Sequence, residues 1–243
     1  MPQLPSTTRE SNMKILTYGL LAVATAAILA GCGGTAASPA LGTAQSPRVR
    51  AINLIPTSGP LTATYDNFTP AIGTISGNQV TGYSVENEGS NTVTFSGTSG
   101  SITSYAGVFQ YGSYSTVAIY QKGATFGTFT LNDNSSAINT GLCQLRLANA
   151  ITTATTPVDV YVTPGSSGAP TLVSSNLISS GGLAFAAATD YKTYTPGAYT
   201  VTVTPQNVST SVLLNVVVNP NAGQSITVYA EDGQLSVNTT DDQ

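Results

Sequence analysis

The chain has 243 residues, a formal net charge of −4 and a charged fraction of only 7%, and it contains no histidine. This length allows one large domain or two small ones, and the acidic balance argues against a nucleic-acid partner, which needs a concentrated basic surface. Without histidine, Ser-His-Asp and Cys-His catalysis are excluded, and the commonest side-chain ligand of zinc and copper is missing.

An uncharged apolar run near the N-terminus has the layout of an export signal. Lys14 precedes residues 15–30, which carry no charge, and small residues follow them. This order is typical of a secretory signal peptide. Met13 stands directly before Lys14, so either Met1 or Met13 could be the true start. An uncleaved membrane anchor is the alternative, but these 16 residues are fewer than the roughly 20 that span a bilayer.

The apolar run ends in residues 29–32 (LAGC), which resemble the lipobox of bacterial lipoproteins. The resemblance implies that residues 1–31 are a signal peptide, and that Cys32 becomes the mature N-terminus and carries acyl chains such as palmitate. The membrane is then a partner through this lipid. Gly33 stands where an Asp commonly retains such proteins at the inner membrane, so the resemblance implies the outer membrane by default if the cell is Gram-negative, on the periplasmic or surface side. Residues 32–47 are rich in Gly, Ala, Ser and Pro and predict a flexible tether.

Beyond the tether, strand patterns dominate the chain. Residues 115–120, 199–203 and 225–229 alternate between apolar and polar side chains, which predicts half-buried antiparallel strands. Residues 212–218 are more continuously apolar, so we expect a central strand that is covered on both faces. Turn-forming residues separate these runs, and no segment has the apolar stripe of an amphipathic helix. The predicted fold class is therefore all-β.

The strand patterns occur twice, in the same order and at similar spacing. Corresponding pairs are VRAIN at 49–53 and LRLAN at 145–149, LTATY at 61–65 and VDVYV at 158–162, NTVTF at 91–95 and YTVTV at 199–203, and the strands at 114–120 and 224–230. We therefore expect two tandem immunoglobulin-like antiparallel β-sandwich modules, at 48–133 and 143–238, with a turn-rich join between them.

The second module carries a resemblance to a known family. The segments LRLANA at 145–150, TPVDVYV at 156–162, YTPGAYTVTV at 194–203 and AGQSITVYA at 222–230 resemble, in this order, the motifs of the bacterial domain of unknown function 4397. The first module has diverged and lacks the VDVY core and the Pro-Gly turn. A histidine that is frequent near the family's first strand is absent, and Thr163 replaces an Asp that often follows the VDVYV strand. Proteins of this family are envelope or surface proteins without an established activity, so the resemblance implies fold and location but no active site.

Two pairs of neighbouring carboxylates are the candidates for general acid–base chemistry. Glu86 and Glu88 would share one face of a strand, where a solvated face or a strand end is the simpler interpretation. Glu231 and Asp232 precede Gly233, and Asp-Gly predicts a hairpin turn, which accounts for this pair without catalysis. No catalytic residue is assigned, and we expect the chain not to be an enzyme.

Metal binding and thiol chemistry have little support in the sequence. Asp66, Asp133, Asp159 and Asp190 are isolated from one another, whereas a calcium site needs about six to eight oxygen ligands, usually with several carboxylates close together. We expect no metal and no cofactor, and we expect Asp159, between two strand valines, to have a structural role. Cys143 lies in an alternating apolar segment and predicts a buried small side chain; a reactive thiol is the alternative.

These observations favour a non-enzymatic envelope lipoprotein that presents its modules for binding or for structural spacing. The alternative is a carbohydrate-binding module, for which Tyr105, Tyr111, Tyr114 and Tyr120 would form an exposed row on one sheet face. Tyrosines in sheets more commonly alternate between core and surface. A glycan or an envelope protein is the expected partner, and exposed sheet edges could pair with another strand. The sequence specifies neither the ligand nor the oligomeric state.

A third interpretation is a hydrolase with an unrecognised site. It requires at least two acidic residues to converge within hydrogen-bond distance in one pocket. The acids concerned are Asp66, Glu86, Glu88, Asp159 and Asp190.

Overall fold

The computed structural model describes residues 46–66, 71–133, 138–139, 141–165 and 172–238. Residues 44–243 group into one compact unit. The expected signal peptide, Cys32 and the tether up to residue 45 lie outside the described residues. Within the described ranges, no helix is long and apolar enough to cross a membrane.

Strands account for nearly all of the regular structure. In the first half they are β1 (Arg48–Asn53), β2 (Leu61–Tyr65), β3 (Gly73–Ile75), β4 (Gln79–Val80), β5 (Ser84–Val85), β6 (Gly89–Gly97), β7 (Gly100–Phe109), β8 (Tyr114–Lys122) and β9 (Thr125–Asn132). In the second half they are β10 (Cys143–Asn149), β11 (Val158–Pro164), β12 (Lys192–Tyr194), β13 (Tyr199–Pro205), β14 (Leu214–Val218), β15 (Ser225–Glu231) and β16 (Gln234–Asn238), with a 3₁₀ turn at Ser174–Asn176. The all-β prediction is confirmed.

Each half consists of two sheets. In the first half, sheet A has the strand order β4-β1-β8-β9, with β5 also paired to β1, and sheet B has the order β3-β2-β6-β7. In the second half, sheet C has the order β12-β10-β15-β16 and sheet D has the order β11-β13-β14. The pairing of the second half thus follows the pattern of the first, while the division into two tandem domains, at 48–133 and 143–238, stays a prediction.

The sheets are not purely antiparallel, which corrects the expectation from the sequence. β1 runs parallel to β8 over six residue pairs, and β10 runs parallel to β15 over six pairs. The other pairings between the described strands are antiparallel. Mixed sheets are common, and sheets of parallel strands usually have both faces covered. That condition holds here, because nearly every residue of β1 and β10 is buried, whichever face its side chain points to.

Sheets A and C pack face to face, so that the described strands form four layers in the order B, A, C, D. One core lies between sheets A and B around Phe95 and Val117, and a second lies between sheets C and D around Val201 and Val228. A third apolar cluster joins the two halves across sheets A and C. Its buried members are Ile52, Leu54, Ala118, Phe129, Leu131, Ala148, Ala150 and Tyr229.

This contact changes the burial that the sequence predicted for several strands. Residues 115–119 of β8 and all of β15 are buried, although their alternation predicted strands with one exposed face. The polar side chains of these strands include Thr116 and Thr227, which lie between the halves and are 0% exposed. Alternation indicated correctly which side chains face the sandwich cores, but the opposite face is covered by the other half.

The prediction of a central strand at 212–218 is wrong. Among the described strands, β14 pairs only with β13 and forms an edge of sheet D, and Val217 is 41% exposed. A continuous apolar run does not reveal how many neighbours a strand has, because valine is favoured on any half-buried strand surface.

Candidate functional site

A buried cluster of charges lies between sheets A and C. Asp133, directly after β9, accepts a hydrogen bond from Arg146 Nη2, and Arg50 Nε lies 3.6 Å from Asp133 Oδ2. These three side chains are at most 4% exposed. The hydroxyls of Tyr83 and Thr116 also donate to Asp133 Oδ2, at 2.7 and 2.5 Å. The carboxylate is therefore engaged within the protein, and the cluster connects the two halves instead of facing a ligand.

The two arginines have equivalent surroundings in their respective halves. Arg50 Nε donates to Thr116 Oγ1 at 2.7 Å, and Arg146 Nε donates to Thr227 Oγ1 at 2.9 Å. Each guanidinium also lies over an aromatic ring, at 4.6 and 4.3 Å from the ring centre, a distance at which cation–π attraction operates. These rings are Tyr83 and Tyr191. Hydrogen bonds and aromatic faces thus replace part of the hydration that burial removes from each guanidinium.

Glu86 and Glu88 lie in the loop between β5 and β6, so they do not share a strand face. Glu88 is exposed, and its hydrogen bond with the hydroxyl of Tyr111 raises the pKa of that tyrosine. The loop position agrees with the interpretation of these acids as solvated residues at a strand end.

Glu231 and Asp232 lie at the hairpin turn that the Asp-Gly pair predicts, between β15 and β16. Glu231 is 2% exposed, and Gln234 Nε2 donates to one of its oxygens at 3.3 Å. The carboxylate of Asp232 accepts hydrogen bonds from the backbone amides of Thr152 and Thr153, at 3.2 and 2.9 Å, and from both threonine hydroxyls. Burial raises the pKa of Asp232, but these hydrogen bonds outweigh it and hold the pKa below its ordinary value. Asp232 therefore fixes the turn after β10.

The other aspartates that are candidates for metal binding or hydrolysis accept hydrogen bonds from backbone amides or are exposed. Asp66 Oδ1 accepts a hydrogen bond from the amide of Thr92 at 2.6 Å, and Asp159 Oδ2 accepts one from the amide of Asn207 at 2.8 Å. Asp190 is exposed. In the part of the chain that the structure describes, no group of three or more acidic or cysteine side chains could hold a metal ion.

Cys143 has the surroundings of a structural residue. It begins β10, is 0% exposed, and its thiol donates to the carbonyl of Tyr194 at 3.5 Å. Burial raises the pKa of the thiol, which lowers the fraction of the nucleophilic thiolate at neutral pH. This geometry supports the buried side chain over the reactive alternative.

The tyrosines of the hypothetical sugar-binding row lie on different surfaces. Tyr105 packs against the core between sheets A and B, whereas Tyr120 packs against the cluster between sheets A and C. Tyr114 forms an edge-to-face contact with Tyr83, with ring centres 5.2 Å apart. Tyr111, in the turn after β7, is 55% exposed. These four tyrosines therefore do not form one exposed row.

An open recess of about 330 Å³, called the end recess below, lies where the hairpins of the first half end. Its lining is formed by Ile55, residues 57–61, residues 97–102, Gln121 and Phe126. None of these residues is charged. The loop after β1, the β6–β7 turn and the β8–β9 hairpin bring them together.

A second recess of about 310 Å³, called the seam recess, lies beside the first at the junction of the halves. It shares Ile55, Thr57 and Gln121 with the end recess and is also lined by residues of the turn after β10, by Glu231 and by Asp232. Arg50 of β1 and Arg146 of β10 both reach Asp133, and the residues following both strands meet at the seam recess. β1 and β10 therefore run in the same direction, and both recesses lie opposite the end at which the chain enters β1.

The sequence predicts the turns around the end recess but not the recess itself. Three separated segments supply its lining, and their convergence depends on hairpin lengths that no local pattern encodes. Gln121 and Phe126 do not indicate a binding site from the sequence, because an amide and a phenyl ring at strand ends are common in any sheet.

Residues 47–161 match a family described as "Domain of unknown function (DUF4397)". This span covers nearly all of the described first half, which the sequence predicts to be the diverged copy, and it ends within β11. Residues 162–238, which include two of the four segments that carried the resemblance, lie beyond the match, so a second copy stays a prediction. No curated protein matches the chain.

Solved structures with similar folds are distant. A family 26 carbohydrate-binding module of Eubacterium rectale Amy13K, solved with maltoheptaose, is 9% identical with a TM-score of 0.29, covering 79% of this chain and 97% of the other. A family 41 α-glucan-binding module from streptococcal virulence factors is 10% identical with a TM-score of 0.28, covering 79% and 98%. The Bacillus anthracis TIE protein is 10% identical with a TM-score of 0.24, covering 78% and 34%. Similarity at this level carries no argument about function.

Proposed function

We propose that this chain, which belongs to the family of the domain of unknown function DUF4397, is a non-enzymatic lipoprotein of the bacterial cell envelope. In this role it presents its stacked β-sheets for binding or for structural spacing. The observation that carries the proposal is the joining of the two halves through a shared apolar cluster and the Arg50–Asp133–Arg146 charges. A joined body with recesses at one end and its chain entry at the other suits presentation at a distance from an anchor.

The chemistry of the described residues supports a role without catalysis. The carboxylates of Asp66, Asp159 and Asp232 are held by backbone amides, and Asp133 is held by two arginines. Groups used in this way have no free geometry for proton transfer to a substrate. The absence of histidine from the whole chain removes the commonest general base as well.

The proposed anchor is a lipid on Cys32, with the outer membrane as the default destination in a Gram-negative cell. The test is the intact mass of the protein from the membrane fraction, measured beside a Cys32→Ala variant. We expect a wild-type chain that begins at Cys32 with the mass of two or three acyl chains added, and a variant without them. An unmodified chain that begins at Met1 or Met13 would contradict the proposal and favour a membrane-spanning segment.

Glycan binding is the second candidate function. The four tyrosines give it no support, since they do not form a row. The end recess favours it instead, because its lining is uncharged and rich in hydroxyl groups.

A further inference from the structure

We infer that the end recess binds an uncharged carbohydrate chain end, with Phe126 as the apolar contact and Gln121 as a hydrogen-bonding partner. This inference rests on the proposed function as an envelope protein that presents a binding surface. It locates that surface at the end of the first half, in a place different from the tyrosine positions that the sequence suggested.

The lining of the end recess combines apolar and neutral polar groups. Ile55, Leu61, Ile102 and Phe126 supply the apolar part. Five hydroxyl side chains and the amide of Gln121 supply the polar part. A hydroxyl group both donates and accepts hydrogen bonds, and an amide does the same through its two ends. A pyranose ring has the matching composition, with an apolar face of C–H groups and a rim of hydroxyls that donate and accept.

The absence of charge from the described lining argues against an ionic ligand. A carboxylate, phosphate or ammonium group that enters a recess loses hydration, and this loss is offset only by an opposite charge or by strong hydrogen bonds. Glu231 and Asp232 line the neighbouring seam recess instead. Lys122 follows Gln121 in the chain, but it is not part of the lining, and its ammonium group lies over the ring of Phe185, 5.6 Å from the ring centre.

The size and position of the end recess fit a chain end. A volume of about 330 Å³ lies at the lower limit of small-molecule sites, which span about 300–1,000 Å³. The recess opens where β1 ends, away from the point at which the chain enters that strand. Under the proposed anchoring, this end faces away from the tether, where a polymer from the surroundings would reach it.

The test uses the lipidated protein, purified from membranes in detergent, on an array of neutral oligosaccharides and of oligosaccharides that contain uronic or sialic acids. We expect neutral glycans to be retained and charged ones not. The retained glycan is then titrated by calorimetry against three variants. Gln121→Ala is expected to weaken binding about three- to tenfold by loss of hydrogen bonds, and Phe126→Ala by about tenfold or more. Gly59 is part of the lining, and a Cβ added there meets no atom within 4 Å, so Gly59→Phe should be accommodated and is expected to obstruct the recess and abolish binding.

The matched control is Gln110→Ala. Gln110 is exposed in the turn before β8, and the neighbouring Ser113 bonds to the start of β1, so this glutamine lies at the opposite end of the sheet. Its affinity should stay within about twofold of the wild type. Gln121 is also exposed, so Gln121→Ala tests the site even if Phe126→Ala disturbs packing.

The inference is overturned if no neutral glycan is retained, if the retained glycans are charged, or if Gln121→Ala and Gly59→Phe bind as the wild type does. Capture of an uncharged peptide by the same recess would overturn the carbohydrate assignment as well. The mass of the membrane-fraction protein tests the lipoprotein proposal separately, so failure of one is distinguishable from failure of the other.

Discussion

Replacing Asp133 with asparagine should destabilise the protein more than any surface carboxylate can. The side chain of Asp133 is 0% exposed and stands between two buried guanidinium groups, 1% and 4% exposed. Asparagine keeps the size of the side chain but removes the negative charge that both buried arginines face. Removing one partner of a buried ionic cluster costs about 3–5 kcal/mol. Because a domain is stable by only about 5–15 kcal/mol, this is a large fraction of the total.

The assay is urea unfolding of the wild type and Asp133→Asn at neutral pH, repeated at about 0.05 and 0.5 M NaCl. The cost should be nearly independent of salt, because buried charges are screened much less than exposed ones. Asp190→Asn, at an exposed carboxylate, is the matched control and should change stability by less than about 0.5 kcal/mol. A cost below about 1 kcal/mol for Asp133→Asn, or one that disappears at high salt, would refute the view that this cluster joins the halves.

Asp232→Ala should cost about 1 kcal/mol at pH 7, as the loss of a capping carboxylate does. The pKa of Asp232 is lower in the folded protein than its ordinary value, so Asp232 stabilises the fold above the ordinary carboxyl pKa. This stabilisation is lost as pH falls through the lowered pKa, so the urea midpoints of the variant and the wild type should converge in acid. In a Cys32→Ala variant, Cys143 is the remaining thiol, and it is buried. Ellman's reagent should therefore react with it slowly in the native protein and rapidly in urea. Fast labelling of the native protein would contradict the burial of Cys143. Val201→Ala, in a fully buried position, should cost about 2 kcal/mol, whereas Val217→Thr on the edge strand should cost less than about 0.5 kcal/mol in the same urea assay.

Strand positions were readable from the sequence because alternation and turn residues are local signals. The repeat of VRAIN as LRLAN marked β1 and β10 as equivalent strands, and both form the inner part of their sheets. The parallel pairing of β1 with β8 and of β10 with β15 could not be predicted from the sequence, because parallel and antiparallel neighbours favour the same residue types.

One feature of the sequence indicates the packing of sheet A on sheet C. Arg50 and Arg146 stand at equivalent places inside apolar strands, and an arginine there must either reach solvent or meet a buried partner. The identity of that partner, Asp133, depends on how the halves are arranged in space, which no local pattern contains. The end recess could not be predicted for the same reason, since its lining comes from three turns that are far apart in sequence.

The parallel pairing of β1 with β8 has a mechanical consequence. β1 is the first of the described strands, and it is hydrogen-bonded to β8 on one side and to β4 and β5 on the other. A pulling force applied to the N-terminal end of β1 along the strand axis would load its six registered pairs with β8 together in shear. Under the proposed anchoring, the strand that would carry the load is therefore hydrogen-bonded to a neighbour over all six of its residues.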